Sequence, residues 1–292
     1  MPECFNTDFD PLLLDREPFQ FSHRLTGHPA VSLENLGRVL PALPANQVFY
    51  SKSTRDTAED LDRLHESNRN GLSIEETIEN IRTSDSYIMV RSPETDPSFA
   101  SLHRDLLDDV KEIIRARGSG TDARESMLYL FIASPDSVTP FHIDRYSTLL
   151  FQFRGSKTVT IYPAWDDRVA NPFDCEDYVA YSAQRGPLLK AGAEACGTAF
   201  RFSPGQALHI PFVAGHHVQN GPDDVSVSLS IIFKTDETER MRKAVMFNRK
   251  ARQSLGRFGL QPAPVGQAPW KDAMKSAMYS GAHRAAKLLR PR

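Results

Sequence analysis

Two short segments hold residue types that bind transition metals. In Phe141-His-Ile-Asp144, residues two apart on an extended chain point to the same side, so His142 and Asp144 can converge on one point. In Phe212-Val-Ala-Gly-His-His-Val218, His216 lies 74 residues beyond His142. Adjacent strand residues face opposite ways, so at most one of His216 and His217 can look the same way as the first pair. Two imidazoles and a carboxylate on one face of an octahedral metal leave open positions opposite, the arrangement of non-haem Fe(II) oxygenases. Each segment alone also has a plain structural reading, as edge or surface residues. A third position, Lys157 in Arg154-Gly-Ser-Lys-Thr-Val-Thr-Ile-Tyr-Pro163, shares strand parity with Val159 and Ile161. If that face is interior, an ammonium there is costly unless an anion meets it. The alternative places Lys157 at the strand's mouth, with its head group snorkelling to water.

The order of these elements is far more specific than any one of them. It runs S-x-x-x-x-T-P-x-H-x-D at 134–144, Lys157 at 15 residues past His142 in G-S-K-x-x-x-x-Y-P, then S-P-G-Q-A-L-H-I-P, and finally H-H-V before S-V-S-L-S. Residues 127–234 resemble the JmjC and cupin-like 2-oxoglutarate oxygenases, and the spacing is most similar to the asparaginyl-hydroxylase branch that includes factor inhibiting HIF. The likeness covers about a third of the chain at motif level.

That resemblance implies a mainly β protein: a double-stranded β-helix (jelly-roll, cupin, JmjC-like) with flanking N-terminal and C-terminal α-helices. It implies Fe(II) held by the catalytic ligands His142, Asp144 and His216. His216 is taken over His217 because the family's ligand lies two residues before a β-branched position, here Val218. It further implies 2-oxoglutarate bound through its distal carboxylate by Lys157 and Thr139, which supplies the anion that a buried Lys157 requires. Tyr129 offers another hydroxyl, with a core aromatic as its alternative reading. Thr148 and Ser230 stand where relatives carry amides near the metal, which puts the co-substrate and substrate contacts in question. Ala214-Gly215 replaces an aromatic pair before the distal histidine, implying a roomier or more mobile entrance. The implied reaction is hydroxylation of a C–H bond in a protein, peptide or small-molecule substrate, with 2-oxoglutarate decarboxylated to succinate and CO2. The rival readings are a barrel that binds without turnover and a metal-binding cupin independent of 2-oxoglutarate, in which Lys157 is structural.

The elements that must position these residues follow from hydrophobic period. Ser73-Ile-Glu-Glu76 has the form of a capping box and predicts a helix over 73–82. Tyr87–Arg91 reads as a strand, and Ser101–Arg117 carries Leu102, Leu106, Leu107, Val110, Ile113 and Ile114 at helical spacing. From residue 127 the period switches to two, predicting strands over Met127–Ala133, Thr148–Phe153, Lys157–Pro163, Thr198–Phe202, Gln206–Pro211, His216–Asn220 and Val225–Phe233. His209, between Leu208 and Ile210, is expected to face outward. Pro163–Gly197, with Trp165, Phe173, Tyr178 and Tyr181, reads as a lid beside the metal. Helices are expected over Thr238–Leu255 and Asp272–Leu289, joined by the stiff linker Gln261–Pro269. The expected organisation is a helix-rich part, 1–125, packing on a cupin-like barrel, 126–235, and a basic helical extension, 236–292.

With 292 residues, 40% hydrophobic and 25% charged, the chain has the composition of a globular protein with room for a sizeable core. No apolar run approaches a membrane span, the acidic start lacks the marks of a targeting peptide, and three cysteines without C-x-x-C argue against a disulfide or thiolate-zinc framework. A soluble, cytoplasmic protein is expected. The net charge of −2 hides an asymmetry: from Arg240 onward stand 13 Lys and Arg against the single acid Asp272, and the remaining 22 basic and 36 acidic residues precede them. Such a tail can bind nucleic acid or another acidic partner, or dock on the protein's own acidic body. In the asparaginyl-hydroxylase branch, helices after the barrel form a dimer interface, so a homodimer through the C-terminal helices is a further expectation.

Overall fold

The computed structural model describes residues 3–288 apart from 7, 54–69, 184 and 259–260. Eleven strands are described: β1 (Phe19–Ser22), β2 (Val48–Lys52), β3 (Ser86–Arg91), β4 (Arg124–Ala133), β5 (Val138–His142), β6 (Ser147–Arg154), β7 (Lys157–Ile161), β8 (Thr198–Phe202), β9 (Gln206–Ile210), β10 (His216–Asn220) and β11 (Ser226–Lys234). They form a seven-stranded sheet, β1-β9-β6-β11-β4-β3-β2, and a four-stranded sheet, β5-β10-β7-β8. Every pairing is antiparallel, and from β4 to β11 the chain crosses between the sheets at every step except β7 to β8, which pair with each other in the smaller sheet. This is the expected jelly-roll core, mainly β with flanking helices.

The larger sheet is buried on both faces, which is why all nine residues of β11 are buried. Val227, Leu229, Ile231 and Phe233 of β11, with Leu128, Leu130 and Ile132 of β4, join a core that includes Leu102, Leu106, Val110, Ile113 and Ile114. These last five lie on one stripe of the Pro97–Arg117 helix. That helix starts before its periodic run because Asp96 accepts the Ser98 N–H and Pro97 fits the first turn; Gly118, at φ 72°, ends it. The other face looks toward the smaller sheet, where Leu150, Val159, Ile161, Leu208, Ile210 and Val218 make a second cluster.

The N-terminal part does more than pack on the barrel. Its strands β2 and β3 extend the larger sheet beyond β4, and β1 pairs with β9. Neither β1 nor β2 was expected from sequence: β1 alternates but is only four residues long, and β2 carries no clear alternation. β1 also changes the setting of His209, which faces away from the barrel interior as expected but not into solvent. It is fully buried, with Nδ1 3.1 Å from the Thr148 carbonyl, Nε2 accepting the Asp15 N–H at 3.0 Å and Phe19 packed on its ring. Those two contacts fix a neutral ring, and burial pushes its pKa down to about 4.

Two helices close the chain, Asp236–Leu255 and Pro269–Leu288, packed on each other. Glu176, fully buried in the Pro172–Val179 helix, accepts from Asn248 Nδ2 and the Val265 N–H and pairs with Arg252. Part of the tail's positive charge is therefore matched inside the fold: Arg242 and Lys243 meet Glu239, Arg252 meets Glu176 and Asp177, and Lys275 meets Asp272. Among the described residues no helix is long and apolar enough to cross a membrane, and all three cysteines are free.

Phe151 joins the N-terminal segment to the central sheet. It is fully buried, and its ring lies 6.2 Å from Phe5, 5.8 Å from Phe21 and 5.5 Å from His23. Phe151→Ala is expected to lower unfolding free energy by about 3–5 kcal/mol, read by denaturant titration. A loss below 1 kcal/mol would mean that β1 and its loop are not part of the cooperative core.

Candidate functional site

β5 ends on His142, β10 begins on His216, and the two are direct partners across the strand pair. The ladder then slips: Val218 faces Thr139, so two steps on β10 match three on β5. This bulge lets Thr139 and His142, of opposite parity, both line the same cavity. β5 is an edge strand, which tolerates Pro140 within it.

Asp144 follows in the loop, with its Oδ2 3.8 Å from His216 Nε2, and the two histidine rings are 4.1 Å apart. Ligand atoms of His142, Asp144 and His216 all lie within 4.8 Å of one another. His142 Nδ1 is 2.8 Å from the Pro140 carbonyl and His216 Nδ1 3.0 Å from the Ala214 carbonyl. A carbonyl only accepts, so each Nδ1 carries the hydrogen and each Nε2 lone pair is free for a metal. Burial, with His142 close by, pushes His216 down to about 4 and keeps it neutral, as a ligand must be. His217 turns the other way, its Nδ1 3.4 Å from the Tyr162 hydroxyl. Val213, a buried β-branched residue at φ 65°, donates its N–H to the Asp144 carbonyl, so backbone strain sits where the ligand loop is held.

The triad opens on a cavity of about 270 Å³ whose lining also includes Thr139, Lys157, Tyr129 and Ser230. Lys157 alternates with Val159 and Ile161 on the inner face of β7 and is 7% exposed. Its ammonium donates to the Ser228 hydroxyl at 2.7 Å, with no carboxylate partner among the described residues. Burial alone brings its pKa down to about 7. Beside it on β10, Asn220 spends Nδ2 on Ser137, while Oδ1 is buried with no partner among the described residues. The Tyr87 hydroxyl bonds to Thr139, and burial raises its pKa. A cation, hydroxyls and an orphaned acceptor thus line the cavity together with His142, Asp144 and His216.

The other expected site residues are gathered here too. Tyr129 and Ser230 are register partners on β4 and β11, and Tyr129 stacks on Phe131. The Thr148 hydroxyl reaches Asp144 Oδ2 at 3.4 Å. The entrance beside Gly215 is not roomier: a Cβ there would lie 2.5 Å from the Phe141 ring, which fills the space. Of the segment read from sequence as a lid, Tyr178 lines the cavity, whereas Trp165 packs against Phe212 and Phe173 lies under Arg252. Reasoning from sequence missed Tyr87, Asn220, Ser228 and Arg145. Asn220 shares the parity of His216 and Val218, a signal that was there to use; Tyr87 becomes visible only once β3 is paired to β4.

A profile of the Cupin-like domain family matches residues 45–239, two thirds of the chain. The chain belongs to the cupin-like domain family. The match begins well before residue 126 and takes in β2 and β3, in keeping with their place in the larger sheet. Solved structures of Escherichia coli YcfD share the cupin-like fold. One X-ray structure superposes with a TM-score of 0.52 at 13% identity, covering 100% of this chain and 70% of that one. YcfD described as a ribosomal oxygenase, in complex with cobalt and 2-oxoglutarate, gives 0.50 at 14% identity over 99% and 68%. Its complex with cobalt and succinic acid gives 0.50 at 13% over 99% and 69%. No curated protein matches the chain.

A buried ammonium without a counter-charge destabilises the ligand-free fold. Lys157 binds its proton less tightly folded than unfolded, so the penalty is full below pH 7 and fades as pH rises toward 10.5. Lys157→Met is expected to raise the melting temperature of the ligand-free protein, with a larger gain at pH 6.5 than at pH 9.5. A pH-independent or negative shift in calorimetry would contradict this electrostatic account.

Proposed function

We propose that this cupin-like protein is an Fe(II)- and 2-oxoglutarate-dependent oxygenase that hydroxylates a C–H bond of a protein, peptide or small-molecule substrate. The observation that carries the proposal is the convergence of His142, Asp144 and His216 in one cavity with a buried, uncompensated Lys157. The residues fit both groups. Two Nε2 lone pairs and a carboxylate suit Fe(II), and the ammonium with the Thr139 hydroxyl suits a distal carboxylate. Fe(II) and 2-oxoglutarate, when bound, turn dioxygen into an oxidant for C–H bonds as 2-oxoglutarate becomes succinate and CO2.

The chain's own part is to hold and orient. The Pro140 and Ala214 carbonyls fix both imidazole tautomers, and the Val213 N–H holds the Asp144 loop. Lys157 would hold the distal carboxylate of 2-oxoglutarate at the inner face of β7, in the same cavity as the triad. Tyr129 and Ser230 lie on the wall between β4 and β11, where they would touch co-substrate or substrate. The motif spacing supports placement near the asparaginyl-hydroxylase branch, and the kinship of fold with a ribosomal oxygenase favours a macromolecular substrate.

Wild-type protein with Fe(II), 2-oxoglutarate and dioxygen is expected to form succinate above the enzyme-free rate, even without its substrate. His142→Ala should abolish this, and Lys157→Ala should raise the KM for 2-oxoglutarate at least tenfold while metal binding persists. Equal KM values in Lys157→Ala and wild type would favour the 2-oxoglutarate-independent cupin; no succinate from either, the barrel without turnover.

The homodimer is proposed on a surface of the last helix, where Trp270, Met274 and Met278 repeat every four residues and all stand more than half exposed. Light scattering should give twice the monomer mass, and Met274→Glu with Met278→Glu should halve it; a monomeric wild type ends this proposal. Arg240, Arg249, Lys250 and Arg284 remain for an acidic partner, whose binding would weaken with salt.

A further inference from the structure

We propose that Arg145 makes the cavity mouth a receptor for a carboxylate on the substrate, an inference that rests on the oxygenase reading above. Arg145 follows the ligand Asp144 directly and lines the same cavity. Its guanidinium carbon lies 3.5 Å from the Tyr178 ring centroid and 4.3 Å from that of Tyr181, both rings coming from the lid. Nε donates to the Tyr178 carbonyl at 2.7 Å, and Nη2 reaches the Ala183 carbonyl at 3.5 Å.

These contacts fix the plane of the guanidinium without neutralising it. The rings and carbonyls use its faces and two of its five N–H donors, and no carboxylate pairs with it among the described residues. Several other cations along the chain's ordered elements have acids: Arg154 meets Asp224, Lys234 meets Glu125, Arg252 meets Glu176. A half-buried, pre-oriented fork with donors left over, one residue from the metal-ligand set, is built for bidentate recognition of an oxyanion. Lys157 already supplies the cation for the co-substrate, and Lys157 and Arg145 come from different strands and loops of the cavity wall. The second anion at this site therefore belongs to the substrate. Around the fork the mouth is aromatic, with Tyr146 and Tyr178 in the lining and the Tyr146 hydroxyl 3.5 Å from that of Tyr181. A carboxylate on a short carbon chain, as on an acidic side chain or a small acid, matches a charged fork framed by rings.

The test is calorimetric titration of anaerobic, Fe(II)-loaded protein saturated with 2-oxoglutarate, so that Lys157 is occupied. The probes are N-acetyl-glutamate amide and N-acetyl-aspartate amide, their glutamine and asparagine counterparts, and N-acetyl-phosphoserine amide. One acid should bind at least tenfold tighter than its neutral amide, the scale expected of a charge-assisted bidentate contact. Arg145→Gln should erase that preference and change 2-oxoglutarate affinity less than twofold. Arg145→Lys should restore part of the preference, and Tyr181→Ala, which leaves the guanidinium in place, should reduce it several-fold. Acid and amide binding equally, no measurable acid binding, or a preference that survives Arg145→Gln would each overturn the proposal. So would tighter binding of phosphoserine, which assigns the fork to phosphate. A collapse of 2-oxoglutarate affinity in Arg145→Gln would reassign Arg145 to the co-substrate. Failure of wild type to bind 2-oxoglutarate defeats the oxygenase reading instead, and the Arg145 dependence of acid binding is then read without it.

Discussion

The site depends on one strand pairing. β5 and β10 meet with His142 opposite His216, and no other register would bring those imidazoles within ring contact. A slip of one residue would send His217 inward and His216 toward Tyr162. The bulge between Thr139 and His142 then permits an edge strand to present two residues of opposite parity to one cavity. Ala214 and Pro140 lend their carbonyls to the same rings they precede, so the strand ends both place the imidazoles and fix which nitrogen is free.

The rest of the barrel serves this pairing by charge and by burial. The larger sheet is covered on its outer face by the Pro97–Arg117 helix and the segment around β1, so apolar residues stabilise it from outside while its inner face carries Tyr129, Ser226, Ser228 and Ser230. That inner polarity lets the cavity hold an ammonium at all. The Ser228 hydroxyl gives Lys157 one hydrogen bond, but a hydroxyl does not cancel a charge. A fold that keeps such a group is tuned for an anion that arrives from solution.

How much of this was legible in the sequence follows from which parts are local. The pair His142 and Asp144 was readable from its spacing, His216 over His217 only through the family resemblance, and Lys157 because its strand alternates cleanly. The inner face of β11 was not: in Ser226-Val-Ser-Leu-Ser230 the apolar residues face outward to the helical layer, whereas in β7 Val159 and Ile161 face inward. Alternation gives two faces and never says which is in. His209 followed the expected parity and still ended buried, because β1 comes from a segment nearly 190 residues earlier. Gly215 read as open space because the Phe141 ring that fills it belongs to another strand. The charged tail read as one basic object, although Glu176 and Asp177, far away in sequence, match part of it. Leu289, the expected end of the last helix, lies outside the described residues.

The central claim is that triad and Lys157 form one site for a metal and a 2-oxoacid. The most direct measurement is an anaerobic visible-absorbance titration with Fe(II) and then 2-oxoglutarate. The account predicts a metal-to-ligand charge-transfer band that requires both additions, and that requires more 2-oxoglutarate in Lys157→Ala. Tight iron binding with no band at saturating 2-oxoglutarate would contradict it.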